Sequence, residues 1–343
     1  MSDLRHDAHD SERPTLKTIA AETGLAIATV SRALKDASDI GEDTKRRVRE
    51  TAERLGYQPN RAGVRLRTGK TNVIALVLST EVDVMNHTSQ LIYSIAAALR
   101  GTAYHLVVMP YFPDQDPMTP IRYIVETDSA DGVILNRTIP DDPRVRYMAE
   151  RGFPFATHGR TSMGIRHPYA DFDNESFARV SVRALVKRGR KRLLLVAPPR
   201  GHNYARHMIA GFIDEAALQG ASSEVLATVD SDAGSALIEA AIADRFVQPM
   251  PPDGIVVGST TAAMAACSGA ESMGLQIGRD FDISAKEAIA FLRRFRRDII
   301  VTHEDVGRAG GFLARALMTA MEQQGAEPDQ FLDTPVDVSP ALT

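Results

Sequence analysis

Polar side chains that can grip a small ligand recur just after short apolar, β-branched runs. Glu81 and Asp83 follow TNVIALVLS at 71–79. Asn136 and Arg137 close ADGVILNRT at 130–138, and His158 and Arg160 follow the core of FPFATHG at 153–159. The second half of the chain adds Tyr204, Arg206, Thr260, Lys286 and Glu304. Each run reads as a buried strand of a parallel sheet. Ligands of such sheets bind beyond the strand C-terminal ends, where these side chains fall. Hydroxyls, amides and paired charges in that position suit a hydroxyl-rich molecule such as a sugar.

A catalytic reading finds less support. The nine histidines are scattered, and neither HExxH nor CxxC occurs, so no metal is expected. HGR at 158–160 and HED at 303–305 are the nearest approach to acid–base pairs. No GxGxxG or P-loop is present, so no nucleotide cofactor is expected, and the chain does not read as an enzyme.

The elements that must position these groups alternate. After the runs above come a helix near 89–99, a strand at 104–111 and a helix at 183–189. A strand at 192–199, a helix at 208–220, a strand at 253–259 and a helix at 262–274 follow. Strand–helix repetition of this kind is a doubly wound α/β architecture. The 343 residues suffice for two or three globular units. No run of 18 apolar residues exists, and the polar start MSDLRHDAHDSERP has no signal-peptide core. The single cysteine, Cys267, excludes an internal disulfide and reads as a small buried residue. A cytoplasmic location is the expectation.

The first 70 residues differ. Leu16, Ile19 and Ala20 form one helical apolar pattern, and Ala28, Val30, Ala33 and Leu34 form a second, joined through Gly24. A third, about Glu42 to Leu55, carries Val48, Ala52 and Leu55, and Gly56 stands where a helix ends in a left-handed residue. Helix, glycine turn, helix is a DNA-reading pattern. The charge agrees. Residues 15–70 hold 12 basic and 7 acidic side chains, while 71–343 hold 26 and 33. A basic head on an acidic body confines nucleic-acid contact to the head.

The head, with ATVSRAL at 28–34 and TKRRVRETAERLGYQPNRA at 44–62, resembles the DNA-binding domain of the lactose-repressor (LacI/GalR) family of bacterial transcription regulators. The body resembles that family's effector domain, of the type I periplasmic-binding fold, through DGVIL at 131–135, DFDNE at 171–175, HMIAGF at 207–212 and GLQIGRDFDI at 274–283. The resemblance implies an all-α helix-turn-helix domain at 15–60 after a disordered tail at 1–14, then a hinge helix at 61–70. An effector-binding and dimerisation domain follows at 71–343. Its first lobe would take about 71–171 and 302–329, its second 172–301 and 330–343, with crossings near 172, 300 and 330.

The implied function is a homodimeric regulator on a pseudo-palindromic operator, more a repressor than an activator, released by a sugar-like effector. The expected DNA contacts are Thr15, Leu16, Ile27, Ala28, Thr29, Ser31 and Arg32, then Asn60, Arg61, Arg65 and Leu66 of the hinge. Ile27 and Ala28 would meet base edges by apolar contact and Arg32 would bond a guanine. Thr29 and Ser31 would meet phosphates. Leu66 would be the wedge that the family drives into the minor groove. The expected effector contacts are Asp83, Asn136, His158, Arg160, Tyr204, Arg206, Thr260, Lys286 and Glu304. Among them Asn136 aligns with a sugar-contacting asparagine of the family.

The sequence departs from the family at several points. Ala26 replaces the serine that caps the recognition helix, at a cost of roughly 1 kcal/mol. Met208 replaces an arginine, and Ser259-Thr260 replace an Asn-Asp pair, removing a hydroxyl-binding carboxylate. KEAI at 286–289 replaces a glycine–aromatic–aspartate stretch. Three alternatives follow: a co-repressor-dependent regulator, an effector-blind DNA-binding protein with a vestigial cleft, and a sugar carrier without a transcription role. The proline-rich acidic tail at 326–343 offers no helical tetramerisation segment.

Overall fold

The computed structural model describes residues 14–57, 69–80, 85–323 and 325–335. The chain divides into a unit ending at Thr71 and a unit beginning at Asn72.

In the first unit three helices, α1 (Leu16–Thr23), α2 (Ile27–Ala33) and α3 (Glu42–Arg54), pack around Ile19, Val30, Ala33, Val48 and Ala52. Thr15 caps α1 through a reciprocal pair with Thr18, whose amide donates to Thr15 Oγ1 at 3.3 Å while the Thr15 amide donates to Thr18 Oγ1 at 3.0 Å. Gly24 ends α1 with φ +66°, the left-handed geometry that the tight turn needs. Ala26 opens α2 without a side-chain cap, as its identity dictates.

The second unit holds two all-parallel sheets. The first has the order β11-β5-β4-β3-β1-β2, built from β1 (Val73–Ser79), β2 (His105–Tyr111), β3 (Gly132–Asn136), β4 (Phe155–His158), β5 (Tyr169–Phe172) and β11 (Gln330–Asp333). The second has the order β10-β9-β8-β6-β7, from β6 (Arg192–Val196), β7 (Ser222–Val225), β8 (Gly254–Val257), β9 (Asp282–Glu287) and β10 (Ile300–His303). Alternation on β1 sends Ile74, Leu76 and Leu78 into one core and Ala75 and Val77 into the other. Leu194 and Val196 of β6 likewise face one core, and Leu193 and Leu195 the opposite one. A strand buried on both faces has to be apolar throughout, which is why these runs are continuous in the sequence.

The helices between the strands are α4 (Met85–Ala98), α5 (Met118–Thr127), α6 (Pro143–Glu150), α7 (Asn174–Lys187), α8 (Asn203–Leu218), α9 (Ser235–Val247), α10 (Thr260–Ser272), α11 (Leu292–Phe295) and α12 (Val306–Glu322). The chain passes from the first sheet to the second after β5 and returns after β10 into α12, whose Leu313 and Leu317 pack beneath the first sheet. The expected second-lobe segment beginning at 330 is corrected here. Gln330–Asp333 pairs with Tyr169–Phe172 and remains in the first sheet, so the chain does not cross near 330. The run QFLDT at 330–334 carries no marker of which sheet it joins; only its pairing decides. Helices α7 and α8 approach so closely that a Cβ on Gly211 would lie 2.4 Å from the Glu175 carbonyl oxygen.

Candidate functional site

Between the two sheets lies a cleft with about 130 Å³ of free interior space. It opens where each sheet reverses its strand order, at β1/β3 and β6/β8, beyond the strand C-terminal ends. Asn136, His158, Tyr204, Thr260, Lys286 and Glu304 all line it, so six of the nine expected effector residues share one cavity. Arg160 stands behind the lining, its Nε 2.8 Å from Asp171 Oδ2. Arg206 is exposed on α8 and does not line the cleft, which corrects its assignment. Helical phase explains the miss, because Tyr204 and Met208, four residues apart, point inward and Arg206 between them points out. Asp83 lies outside the described residues, as does Glu81.

Asn136 is the most exposing of these groups chemically. Its side chain is buried, yet Oδ1 has no hydrogen-bond partner among the described residues. A buried acceptor left unpaired carries a desolvation penalty that an incoming donor relieves. The backbone that carries it is held from below. Arg144 Nη2 donates to the carbonyl oxygens of Asn136 at 3.3 Å and Arg137 at 3.0 Å, and Arg144 pairs with the fully buried Asp142 at 2.7 Å. Arg137 itself adopts φ +55°, a conformation that a long side chain takes only when its surroundings enforce it.

The sequence reading missed three titratable cleft residues. Asp232, after β7, supplies a carboxylate to the second-lobe wall, although position 260 lacks one. It faces Arg137 Nη2 at 3.0 Å, an ion pair between the loops of the two sheets. Nothing in the run SDAG at 231–234 marks this role, since the pairing depends on how the two sheets face each other. Asp171 and His87 also line the cleft, from the end of β5 and the first turn of α4. A second bridge lies beside the ion pair. The Asn203 amide donates to Thr138 O at 3.0 Å and Asn203 Nδ2 to Arg160 O at 2.8 Å.

Charge in the cleft is matched internally. Burial alone would raise the Glu304 carboxyl, but Lys286 Nζ at 2.8 Å and His87 outweigh it and hold it well below the usual range. Burial drives His158 down to about 3, with His87 adding to the effect, so its imidazole is neutral. Burial also lowers His202 to about 4, with Arg137 assisting. The His202 ring stacks on Tyr204 at 5.1 Å. Such a lining has hydrogen-bonding capacity without a large unmatched charge.

Burial pushes the Asp171 carboxyl up to about 7, against the opposing pull of Arg160. A folded-state carboxyl with a raised pKa binds its proton where the unfolded one has released it. Stability from this group is therefore present at low pH and is lost as pH rises from the ordinary carboxylate range through about 7. Asp171→Asn removes that dependence. Denaturant titrations should show wild type losing ground to the variant by about 1 kcal/mol per pH unit between pH 5 and 7. Parallel stability curves for the two proteins over this range would contradict the assignment.

In the head, Ile27, Ala28 and Arg32 are exposed and Thr29 and Ser31 half-buried along one side of α2. This helix therefore presents the residues expected to meet DNA. Arg32 pairs with Asp39, so a DNA contact by its guanidinium would have to replace that bond. Thr15 is committed to its cap, a role that the sequence reading did not assign, and Leu16 packs partly against the head core, as its place in the apolar pattern implies. Asn60, Arg61, Arg65 and Leu66 lie outside the described residues. Among the described residues no helix is long and apolar enough to cross a membrane.

Residues 15–60 match the family model of bacterial regulatory proteins of the lacI family, and residues 182–340 match that of the periplasmic binding protein-like domain. The HTH-type transcriptional regulator RafR of Escherichia coli is 30% identical over 281 residues, spanning 81% of this chain and 80% of RafR. The HTH-type transcriptional regulator AglR of Rhizobium meliloti is 28% identical over 324 residues, 92% of this chain and 90% of its own. The fold is shared with the lac repressor dimer bound to operator and the anti-inducer ONPF. The TM-score is 0.82 at 19% identity, over 96% of this chain and 97% of that one. A CelR–cellobiose complex superposes with a TM-score of 0.69 at 20% identity, over 95% and 98%. The chain therefore belongs to the lacI family of bacterial regulatory proteins and is a DNA-binding transcriptional regulator with a helix-turn-helix head and a periplasmic-binding-like body.

Proposed function

We propose that this regulator is a cytoplasmic homodimer that represses a carbohydrate-utilisation operon and leaves its pseudo-palindromic operator when a sugar binds the cleft. It has no catalytic role in this reading. The observation that carries the sugar assignment is the unpartnered Asn136 Oδ1, buried in a cleft whose charged groups are already paired. A neutral polyhydroxylated ligand can donate to that oxygen without stranding any charge. Cellobiose in the CelR complex is the corresponding ligand of a protein with this fold. Binding alone releases nothing, because the ligand must favour one arrangement of the two lobes over the other. The ion pair from Arg137 to Asp232 and the Asn203 bridge are contacts that such a rearrangement would remake.

On the DNA side, α2 takes the major groove, with Thr29 and Ser31 on phosphates and Ile27, Ala28 and Arg32 at base edges. Asn60, Arg61 and Arg65 would hold the hinge on the backbone, and Leu66 would be wedged into the minor groove at the operator centre. A wedge acts only where the duplex is kinked. Leu66→Ala should therefore weaken operator binding by tenfold or more and leave binding to random duplex nearly unchanged, in anisotropy titrations at one fixed salt concentration. Equal losses on both DNAs would remove the wedge from the account.

A further inference from the structure

The fold gathers two imidazoles and a carboxylate that stand 71 and 146 residues apart in the sequence. His87 comes from the first turn of α4, His158 from the end of β4, and Glu304 from the crossover between β10 and α12. One donor atom from each lies within 4.8 Å of the others. His87 Nε2 is 3.5 Å from Glu304 Oε1, close to the edge of a coordination tetrahedron with bonds of about 2.1 Å. The two rings meet edge to face at 66° with centroids 5.0 Å apart. We propose that His87, His158 and Glu304 form a binding site for a borderline divalent cation of the Zn²⁺ class.

The chemistry of the set selects that class. Two imidazoles and one carboxylate suit zinc, cobalt, nickel or iron(II), whereas calcium and magnesium want oxygen throughout. His87 Nδ1 is buried without a hydrogen-bond partner among the described residues, while its Nε2 faces Glu304 Oε1. Lys286 does not compete for the metal-facing oxygen. It holds Glu304 Oε2 at 2.8 Å and Asn174 Oδ1 at 3.1 Å, leaving Oε1 toward the histidines. A ligating carboxylate whose second oxygen is hydrogen-bonded is the usual outer-shell arrangement. All three ligands line the cleft, so the remaining coordination position is open to water or to an oxygen of a cleft ligand. The ion would tie the crossover after β10 to the end of β4 and the first turn of α4. This revises the expectation that the chain has no metal. That expectation rested on short-range motifs, and this set has none.

The test uses the full-length protein stripped with a chelator and dialysed against Zn²⁺, without DNA or sugar. The expected result is one Zn²⁺ per chain, with Co²⁺ giving a visible ligand-field spectrum that Zn²⁺ bleaches. His158→Ala and His87→Ala should each lose stoichiometric binding, while His105→Ala, at an exposed position on β2, should keep it. Circular dichroism confirms folding, and Glu304→Gln replaces any variant that fails it. Absent binding by wild type, or undiminished binding by the folded variants, would overturn the site. Because the assay contains no DNA and no sugar, that result would leave the regulator reading standing.

Discussion

Asn136→Ala is expected to weaken the response to the effector at least tenfold while leaving both operator affinity and fold intact. Asn136 Oδ1 is a buried acceptor with no partner among the described residues, so alanine removes an unpaired polar group rather than a bond. Unliganded stability should be unchanged or slightly higher, because an unsatisfied buried acceptor is a liability until a ligand satisfies it. The ligand, in contrast, loses its donor's partner, and the half-release concentration should rise tenfold or more, about 1.4 kcal/mol or above. Release assays on operator DNA and thermal melts of the free protein read the two effects separately. An unchanged half-release concentration would place the ligand elsewhere.

Arg144→Ala is expected to produce the largest stability loss of any single change near the cleft, about 3–5 kcal/mol. Its partner Asp142 is fully buried and also caps α6. Burial would raise the Asp142 carboxyl, yet the Arg144 guanidinium and the amides of Ile139 and Arg144 overcome this and lower it. Without Arg144 that carboxylate is stranded, and the carbonyls of Asn136 and Arg137 lose their donor. Arg144→Lys should recover only part of the loss, because an ammonium cannot reproduce the planar fork that spans two carbonyls and a carboxylate. Urea denaturation measures both variants. A loss below about 1 kcal/mol for Arg144→Ala would show that the turn at Arg137 is held by other contacts.

Much of this was legible from local pattern. Continuous β-branched runs marked the strands because burial on both faces leaves no room for polar alternation. Gly24 and Gly56 marked helix ends because both carry positive φ. The rule that ligands sit beyond strand ends brought Asn136, His158, Thr260, Lys286 and Glu304 together without any knowledge of how the two sheets face. What failed depended on distance in sequence or on helical phase. Arg206 turned outward because a helix rotates 100° per residue, which a motif such as YARHM does not display. Asp232 and Asp171 became cleft residues through pairings to Arg137 and Arg160, which only the tertiary arrangement creates. The strand at 330–333 joined the first sheet through its partner β5, and the cluster of His87, His158 and Glu304 was invisible for the same reason.

The central claim is that occupancy of the cleft controls grip on DNA. It is tested most directly by a gel-shift titration on the intergenic DNA beside the protein's own gene, at fixed salt, with a panel of mono- and disaccharides. The account predicts a retarded band that one sugar releases from the wild-type protein but, at the same sugar concentration, not from Asn136→Ala. A specific band that no sugar alters, or one that forms only when a sugar is added, would contradict it.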